Sequence, residues 1–84
     1  MSELMPPEGW DVVDGRFRRE FVFPDFPRAF AFMTASAIIA EKMDHHPNWS
    51  NVYNRVTVEL WSHDVGGISD RDVRLAEFMN GLAT

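Results

Sequence analysis

Two of the three histidines in this chain, His45 and His46, are adjacent, and Pro47 follows them directly. Imidazole is the only side chain whose unperturbed pKa, about 6.5, lets it donate or accept a proton near neutral pH. Proline disfavours the α region for the residue before it, so His46 is predicted to have an extended backbone. Because neighbouring side chains of an extended segment point to opposite sides, the two imidazoles are predicted to have different roles. Proton transfer is the chemistry that this segment favours.

Other interpretations of the histidines compete with proton transfer. The pair can simply occupy a corner between a helix and a strand, where imidazoles hydrogen-bond to backbone groups. His63 is predicted at a strand end, where a solvated residue is common. A catalytic triad is disfavoured, because no serine lies in a nucleophile-elbow pattern such as G-x-S-x-G. A three-histidine zinc site is disfavoured as well, since the histidines lack the i, i+2 strand spacing or the i, i+4 helix spacing.

The composition excludes several classes of protein. With 84 residues the chain is predicted to form a single domain, residues 1–84, near the size at which one core gives marginal stability. A net charge of −5 argues against a nucleic-acid partner. There is no cysteine, so disulfides and thiolate metal ligands are excluded. The apolar stretch 29–40 is too short to span a bilayer and is not N-terminal, so a cytoplasmic protein with no membrane partner is expected.

The elements that position the histidines follow from turn and cap signals. Asp14-Gly15 predicts a tight hairpin turn, and Asp25 predicts the N-cap of a helix over residues 26–43. Ser69 and Asp72 form a capping-box-like start to a last helix. The predicted strands are residues 10–13, 16–23, 49–53 and 55–63. The order β-β-α-β-β-α predicts an α+β fold, in which helices pack on one face of an antiparallel sheet.

The long predicted helix carries two apolar stripes. The first comprises Phe26, Phe30, Met33, Ala37 and Ala40. The second comprises Ala29, Phe32, Ser36, Ile39 and Met43. A helix that is apolar on two sides has more surface than one sheet can cover. The second stripe, which is rich in small residues, is therefore predicted to form a helix–helix interface between subunits.

Four further residues are candidates for the site. Alternation along 55–63 predicts that Trp61 and His63 lie together on the face opposite the core. Glu41 lies in the last turn of the helix, where the helix dipole disfavours an anion, and such mild costs often mark function. Asp44 is a candidate for orienting an imidazole. Asp72 is explained equally well as a helix cap and as a ligand contact.

These residues belong to a longer ordered pattern. Its signature is Glu41-x-x-x-His45-His46-Pro47, followed by Tyr53, His63 and Asp72. Further matching segments are Gly9-Trp10, Phe26-x-x-Ala29-Phe30-x-Phe32-Met33, Asn51-Val52-Tyr53-Asn54 and Gly67-x-Ser69-x-Arg71-Asp72. In this pattern the chain resembles the pterin-4a-carbinolamine dehydratases over nearly its whole length. Trp61 departs from the family, whose members often have a small polar residue there, and is expected to change the shape of the pocket.

The resemblance implies a four-stranded antiparallel sheet with helices on one face, and assembly into a homodimer or homotetramer. It implies dehydration of 4a-hydroxytetrahydropterin to quinonoid dihydropterin in tetrahydrobiopterin recycling, without a metal or an organic cofactor. It also implies that His45 and His63 are general acids and that His46 binds the pterin. The other expected substrate contacts are Glu41, Asp44, Trp10, Trp61, Ser62, Asp64 and Asp72.

The resemblance also implies an alternative to catalysis. Some relatives assist transcription factors or have become assembly chaperones, so a non-catalytic interaction module is the second hypothesis. The enzyme hypothesis predicts that the three imidazoles meet in one cleft. The module hypothesis predicts that function lies on an exposed helix stripe and survives loss of the histidines. Degenerate relatives usually lose these histidines, so their presence here favours the enzyme.

Overall fold

The computed structural model describes residues 4–84, which form four β-strands, two α-helices and one short 3-10 turn. The strands are β1 (Asp11–Val13), β2 (Arg16–Val22), β3 (Asn48–Val52) and β4 (Arg55–Leu60). The helices are α1 (Phe26–Met43) and α2 (Asp70–Ala83), and the 3-10 turn spans His63–Val65. The strands pair antiparallel in the order β1-β2-β4-β3. The predicted α+β fold class is confirmed, and residues 1–3 of the predicted domain lie outside the described residues.

The β1–β2 hairpin has the tight turn that the sequence predicts. Asp14 and Gly15 both have positive φ angles, 53° and 76°, and Val13 pairs with Arg16. Two central residues with positive φ define the turn whose twist matches that of the flanking strands. Aspartate and glycine tolerate this conformation better than most residues, so the turn type follows from the local sequence.

The core lies between the helices and one face of the sheet. Side chains alternate along the two central strands, so every second residue of β4 is buried. The buried apolar residues of β2 and β4 are Phe17, Phe21, Val56, Val58 and Leu60. The helices cover them with Ala29, Phe32, Ala40, Leu75, Ala76 and Met79. Burial of these side chains is the main stabilising contribution in a domain of this size.

The assignment of the α1 stripes from sequence is wrong. The buried residues of α1 are Ala29, Phe32, Ser36 and Ala40, so the stripe predicted to contact another subunit faces this chain's own core. The first stripe is instead exposed at Phe26 and Phe30, and Ile38 beside it is 60% exposed. Small residues at three of the four buried positions allow α1 to pack closely against α2, which explains the choice of face.

Strand β4 is shorter than predicted, and His63 does not belong to it. The chain leaves the sheet after Leu60 and forms the 3-10 turn, which ends at Gly66 with a φ of 67°. Ser62 closes the turn, because its backbone N–H donates to Gly67 O at 2.7 Å and its carbonyl accepts from Gly67 N at 3.2 Å. The positive φ at Gly66 permits this reversal, which the alternation of apolar residues did not indicate.

Candidate active site

Asp72 is the buried carboxylate around which the site is built. It is the third residue of α2 and completes a capping box with Ser69, whose backbone N–H donates to Asp72 Oδ2 at 2.9 Å. The Ser62 hydroxyl donates to the same oxygen at 2.9 Å. Asp72 Oδ1 lies 2.5 Å from His45 Nε2. Its side chain has no exposed surface, so the structure contradicts the expected substrate contact, and Asp72 reaches a ligand only through its neighbours.

His45 is turned toward Asp72 by the end of α1. The C-cap residue Asp44 has a left-handed conformation, with φ 52° and ψ 44°, and the His45 backbone N–H donates to Ala40 O at 3.0 Å. The His45 side chain is 8% exposed. An ionised carboxylate only accepts hydrogen bonds, so Nε2 carries a proton in this pairing. Nδ1 is the ring nitrogen left for proton exchange with a ligand.

His46 has different partners from His45, as the extended backbone before Pro47 predicts. Its Nε2 lies 2.9 Å from Glu41 Oε1, and the two side chains are 58% and 81% exposed. Exposed pairs of this kind contribute little stability because water and salt screen them. The Glu41 contact therefore orients the His46 ring without burying it.

His63 reaches the site from the 3-10 turn after β4. Its ring centroid lies 4.9 Å from that of Trp61, and the two planes are tilted by 45°. The His63 side chain is exposed, while Trp61 is half-buried. The predicted proximity of these two residues is confirmed, although the turn brings them together rather than a strand.

The three histidines line one cleft of about 340 Å³. Its lining residues are Asp44, His45, His46, Trp61, Ser62, His63, Asp64 and Arg71. Small-molecule sites in proteins commonly have volumes of about 300–1,000 Å³. The structure thus brings together imidazoles from two segments of the chain in a space suited to a small ligand.

Three of the expected substrate contacts, Asp72, Trp10 and Glu41, lie outside the lining of this cleft. Trp10 is 4% exposed, packs edge-on against Phe21 in the core and donates from Nε1 to Asn80 Oδ1 at 2.8 Å. The expectation that Trp10 contacts the substrate is wrong, because its side chain is buried in the core and does not line the cleft. Glu41 contacts the cleft only through His46. Asp44 lines the cleft, but among residues 4–84 it is not one of the carboxylates hydrogen-bonded to the histidines.

Arg71 is a cleft residue that the site prediction missed. Its Nη2 donates to Asp64 Oδ1 at 2.6 Å. This hydrogen bond lowers the pKa of the exposed Asp64 carboxyl below its usual value and raises the pKa of the Arg71 guanidinium. The sequence signal was the position of Arg71, one residue before Asp72 in the first turn of α2. The first turn of α2 lies beside the cleft, so Arg71 in that turn lines the cleft although Asp72 itself is buried.

Two geometric features of residues 4–84 bear on other classes of protein. No helix in this range is both long and apolar enough to cross a membrane. In the same range, no three or more histidine, aspartate or glutamate side chains are grouped so as to hold a metal ion. His45 and His46 each contact a different carboxylate, Asp72 and Glu41 respectively, so these side chains form two separate pairs.

An α+β protein with three imidazoles in one cleft, one of them backed by a buried carboxylate, has the arrangement of an acid–base site for a small molecule. The model of the family described as pterin 4 alpha carbinolamine dehydratase matches residues 1–82 of this chain. The chain belongs to the pterin-4α-carbinolamine dehydratase family.

Individual relatives agree with the family match. A provisionally named pterin-4-alpha-carbinolamine dehydratase of Synechococcus sp. (strain WH7803) is 59% identical over 82 residues, which cover 98% of this chain and 86% of the relative. One from Dinoroseobacter shibae with the same provisional name is 57% identical over 77 residues, covering 89% and 79%. A crystal structure described as a transcriptional coactivator/pterin dehydratase from Brucella melitensis has a TM-score of 0.90 at 46% identity, covering 92% of this chain and 84% of that chain.

Proposed function

We propose that this protein is a 4a-hydroxytetrahydropterin dehydratase that acts by histidine acid–base catalysis in tetrahydrobiopterin recycling. The observation that carries the proposal is that His45, His46 and His63 line one cleft, with a buried carboxylate behind the first of them. Family membership supports the substrate class, because relatives are named for this reaction.

The reaction requires one proton to be delivered and one to be removed. The C4a–O bond of the substrate breaks with its electrons going to oxygen, and an imidazolium protonates the departing hydroxide to water. The N5 lone pair forms the C4a=N5 double bond, and N5 gives up its proton to a base. Imidazole suits both steps because its ordinary pKa is close to neutral pH. A histidine that has donated its proton is then able to act as the base.

The surroundings of the histidines support a division of labour. His45 is held by Asp72, so a single ring nitrogen is directed away from the carboxylate. His63 reaches the same cleft from a separate segment, so the two residues are suited to donate to hydroxyls on opposite faces of the pterin. His46 is exposed and paired with Glu41, which suits a contact that positions the ring. Trp61 offers a flat ring against which a heterocycle can stack.

The test is steady-state kinetics of quinonoid dihydropterin formation with His45→Gln, His63→Ala, their combination and His46→Ala. Glutamine keeps a donor for Asp72, which protects the fold. Removal of a general acid costs about a hundred to ten thousandfold. Each single variant is expected to lose less than this on racemic substrate, because the other acid serves the opposite face, and the double variant is expected to lose far more. His46→Ala is expected to raise the apparent substrate constant more than it lowers turnover.

Two results would reject the assignment. Turnover at the wild-type rate in the His45→Gln/His63→Ala variant would show that neither imidazole is the acid. A pure turnover defect in His46→Ala would transfer the acid role to that residue. Circular dichroism of each variant serves as the control for folding.

A second candidate function is that of a protein-interaction module. It is favoured by Phe26, Phe30 and Ile38, which are 45%, 53% and 60% exposed on α1, and by the description of the Brucella melitensis protein as a transcriptional coactivator as well. The first binding partner to consider for this exposed surface of α1 is a second copy of this chain. The two hypotheses diverge on the double histidine variant, because an association surface on α1 does not use the imidazoles.

A further inference from the structure

Two serine side chains connect the segment after β4 to the first turn of α2. The Ser62 Oγ lies 2.6 Å from the Ser69 Oγ, and the Ser62 hydroxyl also donates to Asp72 Oδ2 at 2.9 Å. On its other side, Ser69 Oγ accepts from the Arg71 backbone N–H at 3.2 Å and from Arg71 Nε at 3.3 Å. These four residues therefore form one continuous hydrogen-bonded chain, which ends on the carboxylate that holds His45.

The donors and acceptors of this chain can be assigned from its two ends. An ionised Asp72 carboxylate only accepts, so the single proton of the Ser62 hydroxyl is donated to it. The Ser62 oxygen then accepts from Ser69, whose own oxygen accepts from the Arg71 N–H groups. Each bond thus has its donor on the Arg71 side and its acceptor on the Asp72 side. Hydrogen bonds that point in one direction polarise one another, which strengthens the last bond to the carboxylate.

Burial and hydrogen bonding together fix the orientation of the Asp72 carboxylate. Ser62 is 1% exposed and Asp72 has no exposed surface, so bulk water does not reach either group. Asp72 Oδ2 accepts from the Ser62 hydroxyl and the Ser69 backbone N–H, and Oδ1 is the oxygen that faces His45. A carboxylate held in this way offers His45 only an acceptor. The imidazole accordingly carries its proton on Nε2 and presents Nδ1 to the cleft.

Asp72 is the residue that determines which ring nitrogen of His45 carries the proton. Among residues 4–84, it is the one side chain hydrogen-bonded to that ring. The other ionisable residues that share the cleft with His45 are Asp44, His46, His63, Asp64 and Arg71. Arg71 and Asp64 are bound to each other at 2.6 Å. The protonation pattern of His45 therefore depends on how the Asp72 carboxylate is held.

We propose that Ser62 is a positioning residue of the acid–base site, whose hydroxyl fixes the Asp72 carboxylate and thereby the tautomer of His45. Ser69 and Arg71 extend the same chain toward the surface. The inference rests on the proposed dehydratase function and adds a residue that acts on the reaction through its neighbours. It also replaces the expected role of Ser62 as a substrate contact, because both hydrogen bonds of its hydroxyl are used within the protein.

The experiment follows the His45 ring by NMR in protein with 15N-labelled histidine, and His46→Ala and His63→Ala assign the signals. In the wild-type protein, His45 is expected to be protonated on Nε2, with a low-field proton signal that burial protects from exchange. Ser62→Ala is expected to lose this protected signal and to lower kcat about three- to thirtyfold, with KM within about twofold. A role in folding alone would lower stability and leave the kcat of the folded protein unchanged.

Two conservative substitutions at Ser62 complete a graded series. The backbone there is extended, with φ −108° and ψ 111°, which suits a β-branched residue. Ser62→Thr keeps the hydroxyl and is expected to keep the His45 signal and a kcat within about twofold of wild type. Ser62→Cys fills a similar space with a weaker donor, so its loss of kcat is expected to be smaller than that of Ser62→Ala. Circular dichroism of each variant is the control for folding, and the order of the series remains measurable if Ser62→Ala does not fold.

Ser36→Ala is the matched control. Ser36 and Ser62 are both enclosed, at 0% and 1% exposure, but within residues 4–84 the Ser36 Oγ has no hydrogen-bond partner. Its removal deletes a buried hydroxyl without breaking a contact, so the His45 signal is expected to remain and kcat to stay within about twofold. Three results would each overturn the proposal. They are a wild-type His45 protonated on Nδ1, an unchanged kcat in Ser62→Ala, and equal losses in Ser62→Ala and folded Ser62→Thr.

The proposed function and the role of Ser62 fail in different ways. If Ser62→Ala loses the protected His45 signal in a protein that does not accelerate dehydration, the link between Ser62 and the His45 tautomer stands and the proposed reaction is wrong. If the protein accelerates dehydration but Ser62→Ala changes neither kcat nor the His45 signal, the reaction stands and the positioning role of Ser62 is wrong.

Discussion

The two ends of α2 carry polar clusters that have similar sizes and different chemistry. The cluster at the N-terminal end, here the histidine-end cluster, comprises His45, Ser62, Ser69 and Asp72. The cluster at the C-terminal end, here the latch cluster, comprises Glu8, Trp10, Arg19 and Asn80. Each joins segments that are distant in the sequence. Only the first lines a cleft that contains histidines.

The difference lies in the central residue of each cluster. Asn80 Oδ1 accepts from Trp10 Nε1 at 2.8 Å and from Arg19 Nη1 at 2.6 Å, while its Nδ2 donates to Glu8 O at 2.9 Å. Both the oxygen and the nitrogen of the Asn80 amide are therefore hydrogen-bonded, and these bonds hold the segment with Glu8 and Trp10 against α2. Asp72 is instead a carboxylate at a helix N-terminus, where the dipole and backbone N–H groups favour an anion. Its remaining oxygen is directed at an imidazole that faces the cleft.

The largest expected effect in this comparison is the loss of turnover in Asp72→Asn. The substitution keeps the size of the side chain and replaces one oxygen by an NH2 group. The Ser69 N–H and the Ser62 hydroxyl both donate to Oδ2 in the wild-type protein, so the remaining oxygen is expected to face them and the NH2 group to face His45, which then loses its acceptor. Turnover is expected to fall about ten- to a hundredfold, near the lower end of the cost of losing a general acid. The apparent substrate constant should change less than about twofold, because Asp72 does not touch the ligand. Steady-state kinetics measure both quantities.

Asp70→Asn is the matched control for Asp72→Asn, since Asp70 is an exposed acid in the same first turn of α2. It is expected to leave turnover unchanged. Similar losses in both variants would mean that the charge of the helix start, rather than the contact with His45, determines activity.

Asn80→Ala is expected to affect stability instead of activity. It removes the partner of Trp10, Arg19 and Glu8 at once, and the free energy of unfolding should fall by about 1–3 kcal/mol. Urea unfolding measures this change. The kcat/KM of the folded protein should stay within about twofold of wild type. Exposed Glu77 on the same helix provides a control, Glu77→Ala, that should be near neutral. Loss of activity in folded Asn80→Ala would break the distinction between the clusters.

The smallest expected effect concerns the exposed Asp64–Arg71 pair beside the histidine-end cluster. Arg71 lowers the pKa of the Asp64 carboxyl in the folded state. Its contribution to stability is therefore fully present above the unfolded pKa, about 4, and is lost as pH falls through the lower folded pKa. Wild type should be slightly more stable than Asp64→Asn at neutral pH, with the difference disappearing in acid. Unfolding curves across pH at low and high salt test this, since salt should shrink the difference. A difference that persists in acid would contradict the assignment.

Several elements were predictable because their causes are local. The Asp14-Gly15 turn, the Asp25 cap and the Ser69–Asp72 capping box each depend on groups within three residues of one another. The alternation of buried residues along β4 was also visible, since it follows from strand geometry alone.

Other features required the packed chain. Local hydrophobicity does not distinguish the two stripes of α1, and the prediction chose the wrong one because close approach to α2 decides which face is buried. Trp10 and Trp61 are equally plausible ring contacts in sequence, and only packing assigns the first to the core and the second to the cleft.

The same distinction between local causes and tertiary packing applies to the site. By itself the sequence determined the histidine segment, its break at Pro47 and the separate roles expected for neighbouring imidazoles. Only the tertiary structure decided which carboxylate holds which histidine. Glu41 precedes His46 by only 5 residues in the sequence, whereas Asp72 is 27 residues from His45. Asp72 lies at the start of α2, and His45 follows α1. The packing of α2 against α1 buries Asp72 and brings its carboxylate into contact with the His45 imidazole.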